Sequence, residues 1–582
     1  MKVLYFFLLG LIAVNVYAAE PVTQASIAVN QIGYVKNWPK SALLVNSLTP
    51  EQEVLLVSED ADVEILKVKP AKQIFAQSGV TVQWLDFSEI VQNGRYYLKQ
   101  NDLRSATFVI DAFPFNNVNY YAMRSYYLQR CGIKISDSTG LNHEACHLED
   151  AIVANDDSSN RRGKRLHASG GWHDAGDFGK YIAPASAAVN RLLSLYESNP
   201  SFFTDNQLNI PESGNGVSDI LDEVKVELEW MLSMQRQDGG VYRKLSGAYW
   251  PKVGSPDLDS QPRFVYGVSS PETAKFAASL AIAGRVFREV DIDASERYLK
   301  ASESAWRWLE NEPKQFVDVH PDDDKGSGKY LFSQTDQESS LKSDIDDRLA
   351  AAIELYLTTN KNEYFSYIEE NIADARYSLF EWKDISTLSL YHFMQKDKKS
   401  ESASIRKGIR NKLIDRAKKI LKTTMESPYG LANIRFVWGS NKMTAEEGIT
   451  LVHAYQITND KSYLKAAIGQ LDYLLGRNPM AISYVSGAGD NSVRFPNHLH
   501  ARSINALITG FMVGGPNSVG QDNITPKDLG ALSYIDNDHA YSSNEYAIDY
   551  NSAFIGLVVS LRDISDDVTI NRGSGEVFRV EQ

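Results

Sequence analysis

Between residues 25 and 112 apolar and polar residues trade places in short runs. Ala25–Asn30, Ser41–Val45, Glu53–Val57, Ala61–Leu66, Thr81–Leu85, Gly94–Leu98 and Ala106–Ile110 follow one another at sandwich-like spacing. A period of two is what a strand with one buried face requires. Seven short strands in such a span predict a small immunoglobulin-like β-sandwich. From residue 113 the period lengthens. Tyr120–Cys131, Ala183–Glu197, Val217–Gln235, Pro271–Val290, Ala294–Asn311, Asp344–Thr359, Asn362–Arg376, Ser386–Met394, Ser402–Met425, Ala445–Thr458, Lys461–Leu475 and Ala547–Ser560 carry apolar residues at helical spacing. About half of these segments are apolar nearly throughout and half are amphipathic, so an inner ring and an outer ring are expected. The fold class read here is mainly α: an (α/α)6 barrel over residues 113–570, preceded by the sandwich over 25–112. The long connections 132–182, 236–270 and 476–546 are rich in Gly, Tyr, Trp and His, and are expected to rim a cleft.

Ahead of the sandwich, Lys2, the apolar stretch Val3–Val14 and the small-x-small site Val16-Tyr17-Ala18 read as a secretory signal over residues 1–19. That stretch is too short to span a bilayer, and a secreted or periplasmic monomer is expected. A net charge of -14 without long basic runs argues against nucleic acid or an anionic membrane as partner. A neutral or cationic substrate fits better. No Walker loop, dinucleotide fingerprint, zincin helix or Gly-x-Ser-x-Gly elbow stands at the required position.

The chemistry begins in Gly170-Gly171-Trp172-His173-Asp174-Ala175-Gly176-Asp177-Phe178-Gly179-Lys180-Tyr181. Glycines let backbone approach a ligand, and Asp174 and Asp177 are a pair suited to proton transfer. Alone, such a loop is equally a turn or part of a calcium site. Only two cysteines occur, Cys131 and Cys146. A disulfide is the default in an oxidising compartment; His147 directly after Cys146, with further histidines nearby, keeps a metal site open.

A third acid follows in Tyr534-Ile-Asp536-Asn-Asp-His-Ala-Tyr541-Ser-Ser-Asn544-Glu545-Tyr-Ala547-Ile-Asp-Tyr-Asn551-Ser552. This pattern resembles the C-terminal signature of glycoside hydrolase family 9, and Asp174-Ala-Gly-Asp177 resembles the same family's acidic loop. Asn30-Gln31-Ile-Gly33-Tyr34 is similar to the start of the immunoglobulin-like domain carried by one branch of that family. Ser440-Asn441, Leu475-Gly476-Arg477-Asn478-Pro479 and Val513-Gly514-Gly515-Pro516-Asn517 extend the likeness over nearly the whole chain.

The resemblance implies inverting hydrolysis of β-1,4-linked glycans, which needs one protonated carboxyl for the leaving oxygen and one ionised carboxylate for water. Glu545 is then the acid and Asp177 the base. Asp174 holds the same water, and Asp536 positions or tunes Glu545, or else simply caps a turn. The family's His-x-Arg element is displaced. Asn497 stands at the expected histidine place, and His500-Ala501-Arg502 follows three residues later. Sugar binding is assigned to His500 and Arg502, with His498 as a rival. Trp438 and Tyr541 are candidate stacking faces or plain core aromatics. Cys131, Cys146, His147 and His173 make a Cys2His2 set similar to the structural zinc site of the branch. Calcium is also frequent in the family; Asp322-Asp323-Asp324 and Asp344-Ile-Asp346-Asp347 offer acids, with no site assigned. The expected activity is that of an endo-β-1,4-glucanase. The alternatives are an exo-acting cellodextrinase, β-glucosidase or exo-β-glucosaminidase, decided by loops such as that of Tyr249-Trp250-Pro251, and a non-catalytic glycan-binding protein.

Overall fold

A computed structural model describes residues 24–76, 79–327 and 343–565. The secretory signal expected over residues 1–19 lies outside them. Ten strands open the chain: β1 (Ser26–Ala28), β2 (Gly33–Val35), β3 (Ser41–Val45), β4 (Val54–Ser58), β5 (Val63–Val68), β6 (Ile74–Phe75), β7 (Thr81–Asp86), β8 (Gly94–Gln100), β9 (Leu103–Arg104) and β10 (Phe108–Asp111). They form two sheets, ordered β1-β3-β7-β6 and β2-β10-β8-β4-β5, with β9 on β8. All seven expected strands are present. The additional β2, β6 and β9 are too short to show a period. β2 runs parallel to β10, and only Gly33 allows it: a Cβ there would lie 2.1 Å from the Val109 carbonyl oxygen.

Ile27, Leu44, Leu56, Leu98 and Ile110 fill a core between the sheets. On β3 and β7 the alternate residues Leu43, Val45, Val82 and Trp84 are also buried, because that sheet's other face packs on the barrel. This explains why β3 is an unbroken apolar run. The seam between the two domains is polar at one end. Asn30 Nδ2 donates to Asp472 Oδ1 at 2.9 Å. Gln31 Nε2 donates to the carbonyls of Ala481 and Asn491, each at 3.0 Å, and Gln31 Oε1 accepts from Asn491 N at 2.8 Å.

The remaining chain holds α1 (Asn116–Leu128), α2 (Ile182–Ser198), α3 (Asp219–Ser233), α4 (Ser270–Val286), α5 (Ile292–Asn311), α6 (Ile345–Thr359), α7 (Asn362–Asn371), α8 (Ser386–Lys396), α9 (Ala403–Glu426), α10 (Ser440–Thr458), α11 (Lys461–Leu474), the short α12 (Leu499–Ile504) and α13 (Tyr541–Asn544), and α14 (Ile548–Ser565). Helices α2, α4, α6, α8, α10 and α14 form the inner ring, and α1, α3, α5, α7, α9 and α11 pack outside it. Burial follows this division. Fifteen of the seventeen residues of α4 are buried, against five of twenty-four in α9, so the inner helices lack a solvent-facing polar stripe, and their charged residues, such as Lys275 and Lys442, are buried and ion-paired. Several ends differ from expectation: α1 spans Asn116–Leu128 rather than Tyr120–Cys131, α4 ends at Val286 rather than Val290, α7 ends at Asn371 rather than Arg376, and α10 begins at Ser440 rather than Ala445.

The long loops contain a third sheet that the sequence pattern concealed. Strands β11 (Ile152–Val153), β12 (Lys180–Tyr181), β13 (Tyr242–Gly247) and β14 (Arg263–Val268) pair in the order β11-β14-β13-β12. β13 is buried throughout although it carries Arg243 and Lys244. Asp323 meets Arg243 at 2.6 Å and Asp324 meets Lys244 at 2.7 Å, which neutralises both cations. Among the described residues no helix is long and apolar enough to cross a membrane.

Candidate active site

Each inner helix is preceded by a loop on the same end of the barrel, and these loops build the cleft. The segment before α2 is fixed first. Its backbone is laced to the end of α1: Cys131 N donates to Gly171 O at 2.8 Å and His173 N to Gln129 O at 2.7 Å. Gln129 Nε2 holds the carbonyls of His173 and Ala175, at 3.1 and 2.9 Å. Trp172 is buried, with its backbone and indole N–H groups on Glu227 and Glu223 at 2.6 and 2.8 Å. Successive side chains then diverge: His173 turns towards the two cysteines, whereas Asp174 and Asp177 line the cleft.

Glu545 enters from the other side, just after α13. Its backbone pairs with Asn497, and Gly514 N donates to its carbonyl at 2.9 Å. The cleft has a volume of about 700 Å³ and holds Asp174, Asp177 and Glu545 together. Burial pushes the Glu545 carboxyl well above the ordinary range, and the charges of Asp177 and then Asp174 push it further. Asp174 is raised well for similar reasons, by burial and then by Asp549 and Asp177; its Oδ1 is buried without a partner. Asp177 is raised by burial too, but with opposing influences. Gly179 N donates to its Oδ1 at 3.2 Å, Arg263 attracts its charge, and Tyr181 OH reaches its Oδ2 at 3.4 Å. Of the three, Glu545 has no stabilising donor or cation beside its ionised form, and Asp177 has several. The arrangement favours a protonated Glu545 facing an ionised Asp177.

Asp536 does not line the cleft. Its carboxylate accepts from Arg494 N at 2.8 Å, Phe495 N at 3.0 Å and Asn544 Nδ2 at 3.1 Å. It therefore ties the 494–497 segment to the residue before Glu545 and acts on Glu545 only through the backbone. The sugar-binding assignment of His500 needs correction. His500 is 2 % exposed and packs against His143, with ring centroids 5.7 Å apart, because α12 turns it away from the cleft. His498 is likewise buried: its Nδ1 accepts from Ala501 N at 3.3 Å as the cap of α12, and its Nε2 donates to Gln129 Oε1 at 2.9 Å. The cleft instead receives Asn497, Leu499 and Arg502. Arg502 is held by Asp538 at 3.4 Å and by the His539 ring at 3.0 Å.

Trp438 and Tyr541 both line the cleft, with ring centroids 5.6 Å apart. Trp250, Trp382 and Tyr181 join them; Trp382 and Tyr181 were not singled out from the sequence. A usable signal existed, since Tyr181, Trp382 and Trp438 each stand within four residues before an inner helix. Lys442, also missed, is buried at 2.9 Å from Glu381 and 3.2 Å from Asp549, a cleft residue.

The four donor atoms of Cys131, Cys146, His147 and His173 lie within 4.8 Å of one another. The thiols are not bonded to each other, with sulfurs 3.8 Å apart, so the disulfide alternative is not the arrangement found. His147 Nδ1 and His173 Nε2 are 3.3 Å apart; Cys131 Sγ is 3.7 Å from the former and Cys146 Sγ 3.9 Å from the latter. Burial lowers His173 to about 4, which keeps its imidazole neutral and free to ligate. His147 Nε2 faces Asp259 at 3.6 Å, the carboxylate that a ligating histidine commonly needs behind it. The four side chains could together hold a metal ion. Of the acid runs considered for calcium, Asp323 and Asp324 pair as above, Asp344 pairs with Arg348 at 3.0 Å and Asp347 with Lys275 at 2.6 Å, while both carboxylate oxygens of Asp346 are buried without a hydrogen-bond partner.

An (α/α)6 barrel with three acids gathered among aromatic faces defines a glycoside hydrolase. The chain belongs to glycosyl hydrolase family 9, whose profile matches residues 115–558, and residues 22–105 match the cellulase N-terminal ig-like domain. It is 31 % identical to a xyloglucan-specific endo-β-1,4-glucanase of Bacteroides ovatus, an alignment covering 96 % of this chain and 98 % of that protein. Among solved structures it resembles a metagenome-derived family 9 endoglucanase, with a TM-score of 0.87 and 37 % identity over 92 % of this chain and 99 % of the other. It also resembles a Zn-binding triple mutant of the family 9 endoglucanase J30, with a TM-score of 0.85 and 30 % identity over 91 % and 99 % of the two chains.

Proposed function

We propose that this protein is an inverting endo-β-1,4-glucanase acting outside the cytoplasm, with residues 25–112 as its accessory domain and 113–570 as its catalytic domain. The observation that carries this reading is the opposed pair: a raised, unassisted Glu545 on one wall and a donor-supported Asp177 on the other. Asp177 takes a proton from a water that Asp174 also holds. The resulting hydroxide adds to the anomeric carbon as the glycosidic C–O bond breaks, and Glu545 gives its proton to the departing oxygen. Trp250, Trp382, Trp438 and Tyr541 come from four separate loops and offer stacking faces along the cleft. That spread favours a chain lying across the site over a single terminal sugar. Arg502 keeps its assigned place beside the scissile bond, and Asn497 takes that of His500.

The cysteine–histidine cluster fits zinc. Bond lengths of zinc to sulfur and nitrogen set tetrahedron edges of about 3.8 Å between sulfurs and about 3.4 Å between nitrogens, against 3.8 and 3.3 Å here. Such an ion supplies a cross-link between the end of α1 and the Asp174 loop, remote from the reacting atoms.

The test is product analysis on a soluble β-1,4-glucan, with Glu545→Gln as control. Rapid loss of viscosity with mixed products supports endo action, and release of one small sugar without that loss would overturn it. Glu545→Gln should lower kcat by about 10²–10⁴-fold; near-normal turnover on an unactivated substrate would refute the assignment of the acid.

A further inference from the structure

Two polar cavities adjoin on the outer helix α1, and neither shares a lining residue with the catalytic cleft. The first, of about 410 Å³, is lined by Tyr120, Tyr121, Arg124 and the hydroxyl-bearing segment Ser136–Thr139. The second, of about 380 Å³, is lined by Asn116, Asn119, Tyr120 and Gln207 among others. They meet at Tyr120. Each volume lies within the range of small-molecule sites.

Each cavity is also lined by a residue with a buried polar atom that the protein leaves without a partner. Arg124 is 9 % exposed; its Nη2 is bound to Asp137 at 2.8 Å, while its Nη1 has no acceptor. Asn119 is 2 % exposed; its Nδ2 has only the Met123 sulfur at 3.9 Å, and its Oδ1 has no donor. In folded proteins such groups are met by protein, by water or by a ligand. Here one unmet group is a donor and the other an acceptor, five residues apart on α1, with the part-exposed rings of Tyr120 and Tyr121 between them in the chain, centroids 5.0 Å apart.

The ligand these features describe has both donors and acceptors on a flat apolar ring. Sugar hydroxyls give and accept hydrogen bonds alike, and the axial C–H face of a pyranose lies well on tyrosine. Charge narrows the choice further. Asp137 already balances Arg124 in the first cavity, so a phosphate or carboxylate ligand would find no surplus cation there; Arg562, which lines the second, donates to Asn116 Oδ1 at 2.6 Å and lies over the Phe113 and Phe202 rings. We infer that the joined cavities are a non-catalytic binding site for a neutral oligosaccharide, a stretch of the same polysaccharide that the cleft cleaves. This rests on the glucanase reading above. Occupied together with the cleft, the site raises the local concentration of polymer at the catalytic acids. Short oligosaccharides, unable to reach both sites, gain nothing.

The test compares Tyr120→Ala, which removes the shared ring, and Ser138→Trp, which fills the first cavity from an exposed position. Affinity electrophoresis in gels containing hydroxyethylcellulose or xyloglucan is run on both variants in the Glu545→Gln background, so that the polymer persists. Kinetics on cellotetraose and on polymer are run with Glu545 intact. The expected result is binding to at least one polymer weakened about fivefold and a higher KM on it, with cellotetraose kcat/KM within about twofold of the parent. Retardation equal to the parent's in both variants, with glucan cleavage intact, would overturn the site. Equal losses on tetraose and polymer would overturn it as well, by making the effect a general one. If the unaltered enzyme cleaves no β-1,4-glucan, it is the catalytic reading that fails.

Discussion

Gly176 stands between the two acids of the water-holding loop, and replacing it with alanine should uncouple the two walls of the cleft. A Cβ at this position would lie 2.5 Å from His498 Cα and 2.9 Å from the Asn497 carbonyl oxygen. Carbon contacts settle near 3.5 Å, so the two backbones must part by about 1 Å. Neither side can give way alone. Ala175 O is held by Gln129 at 2.9 Å, and Asn497 N is held by Asn544 O at 2.7 Å. The displacement therefore passes into the Asn497–Glu545 pairing and widens the gap in which water and scissile bond sit. A misplacement of about 1 Å costs on the order of 10²-fold in rate, or about 2.7 kcal/mol in the barrier. Overpacking itself costs about 1–3 kcal/mol, less than a typical domain's stability of about 5–15 kcal/mol, so the variant should fold. Steady-state kinetics on a soluble β-1,4-glucan should give kcat about 100-fold lower with KM little changed, because Trp250, Trp382 and Trp438 stand on other loops. Metal content and a thermal melt verify the fold. A kcat within threefold of the parent, with an unchanged melt, would show that the two backbones are not rigidly apposed and would sink the argument.

Asp174→Asn should abolish most activity yet raise Tm at pH 7. A carboxyl whose folded pKa is raised binds more protons folded than unfolded, so stability falls as pH climbs from the ordinary value of 3.8 towards the folded one, and the amide escapes that loss. Calorimetry should find no gain below about pH 3.8; a lower Tm at pH 7 would refute this sign. Chelation under reducing conditions should lower Tm and slow turnover, and Cys131→Ser should bind less than one zinc per chain by atomic absorption. Gly408→Ala on the exposed flank of α9, where an added Cβ meets nothing within 4 Å, should stabilise by about 0.5–1 kcal/mol without touching activity, as a denaturation midpoint would record.

Both layers of the fold were legible because burial imposes a period on the chain. The strands of the sandwich alternate where one face is wet, and the inner helices lose alternation where no face is. β13 was not legible, since a strand containing Arg243 and Lys244 reads as surface until Asp323 and Asp324, some eighty residues later, are known to neutralise it. The same aspartates looked like calcium ligands for want of their partners. Asp174, Asp177 and Glu545 stood out because local motifs frame them. His500 misled because spacing along the chain cannot show the turn that His498 makes as a helix cap, which swings His500 towards His143 and leaves Asn497 at the cleft.

Gln31 ties the small domain to carbonyls 450 and 460 residues further along the chain. Closing so long a loop costs only about 1.4 kcal/mol more than closing one of a hundred residues, since the entropy grows with the logarithm of length. The expense is in time: the clasp cannot shut until nearly the whole barrel is in place, and the sandwich, with a core of its own, must wait with that amide facing water. What the clasp grips is the stretch running on from Asn491 to Asn497, the partner of Glu545. A contact that trues the cleft is thus one that closes among the longest loops in the chain, and in local unfolding it should be among the first to let go. Amide exchange along residues 483–497 would register a loosened sandwich before either core lost protection.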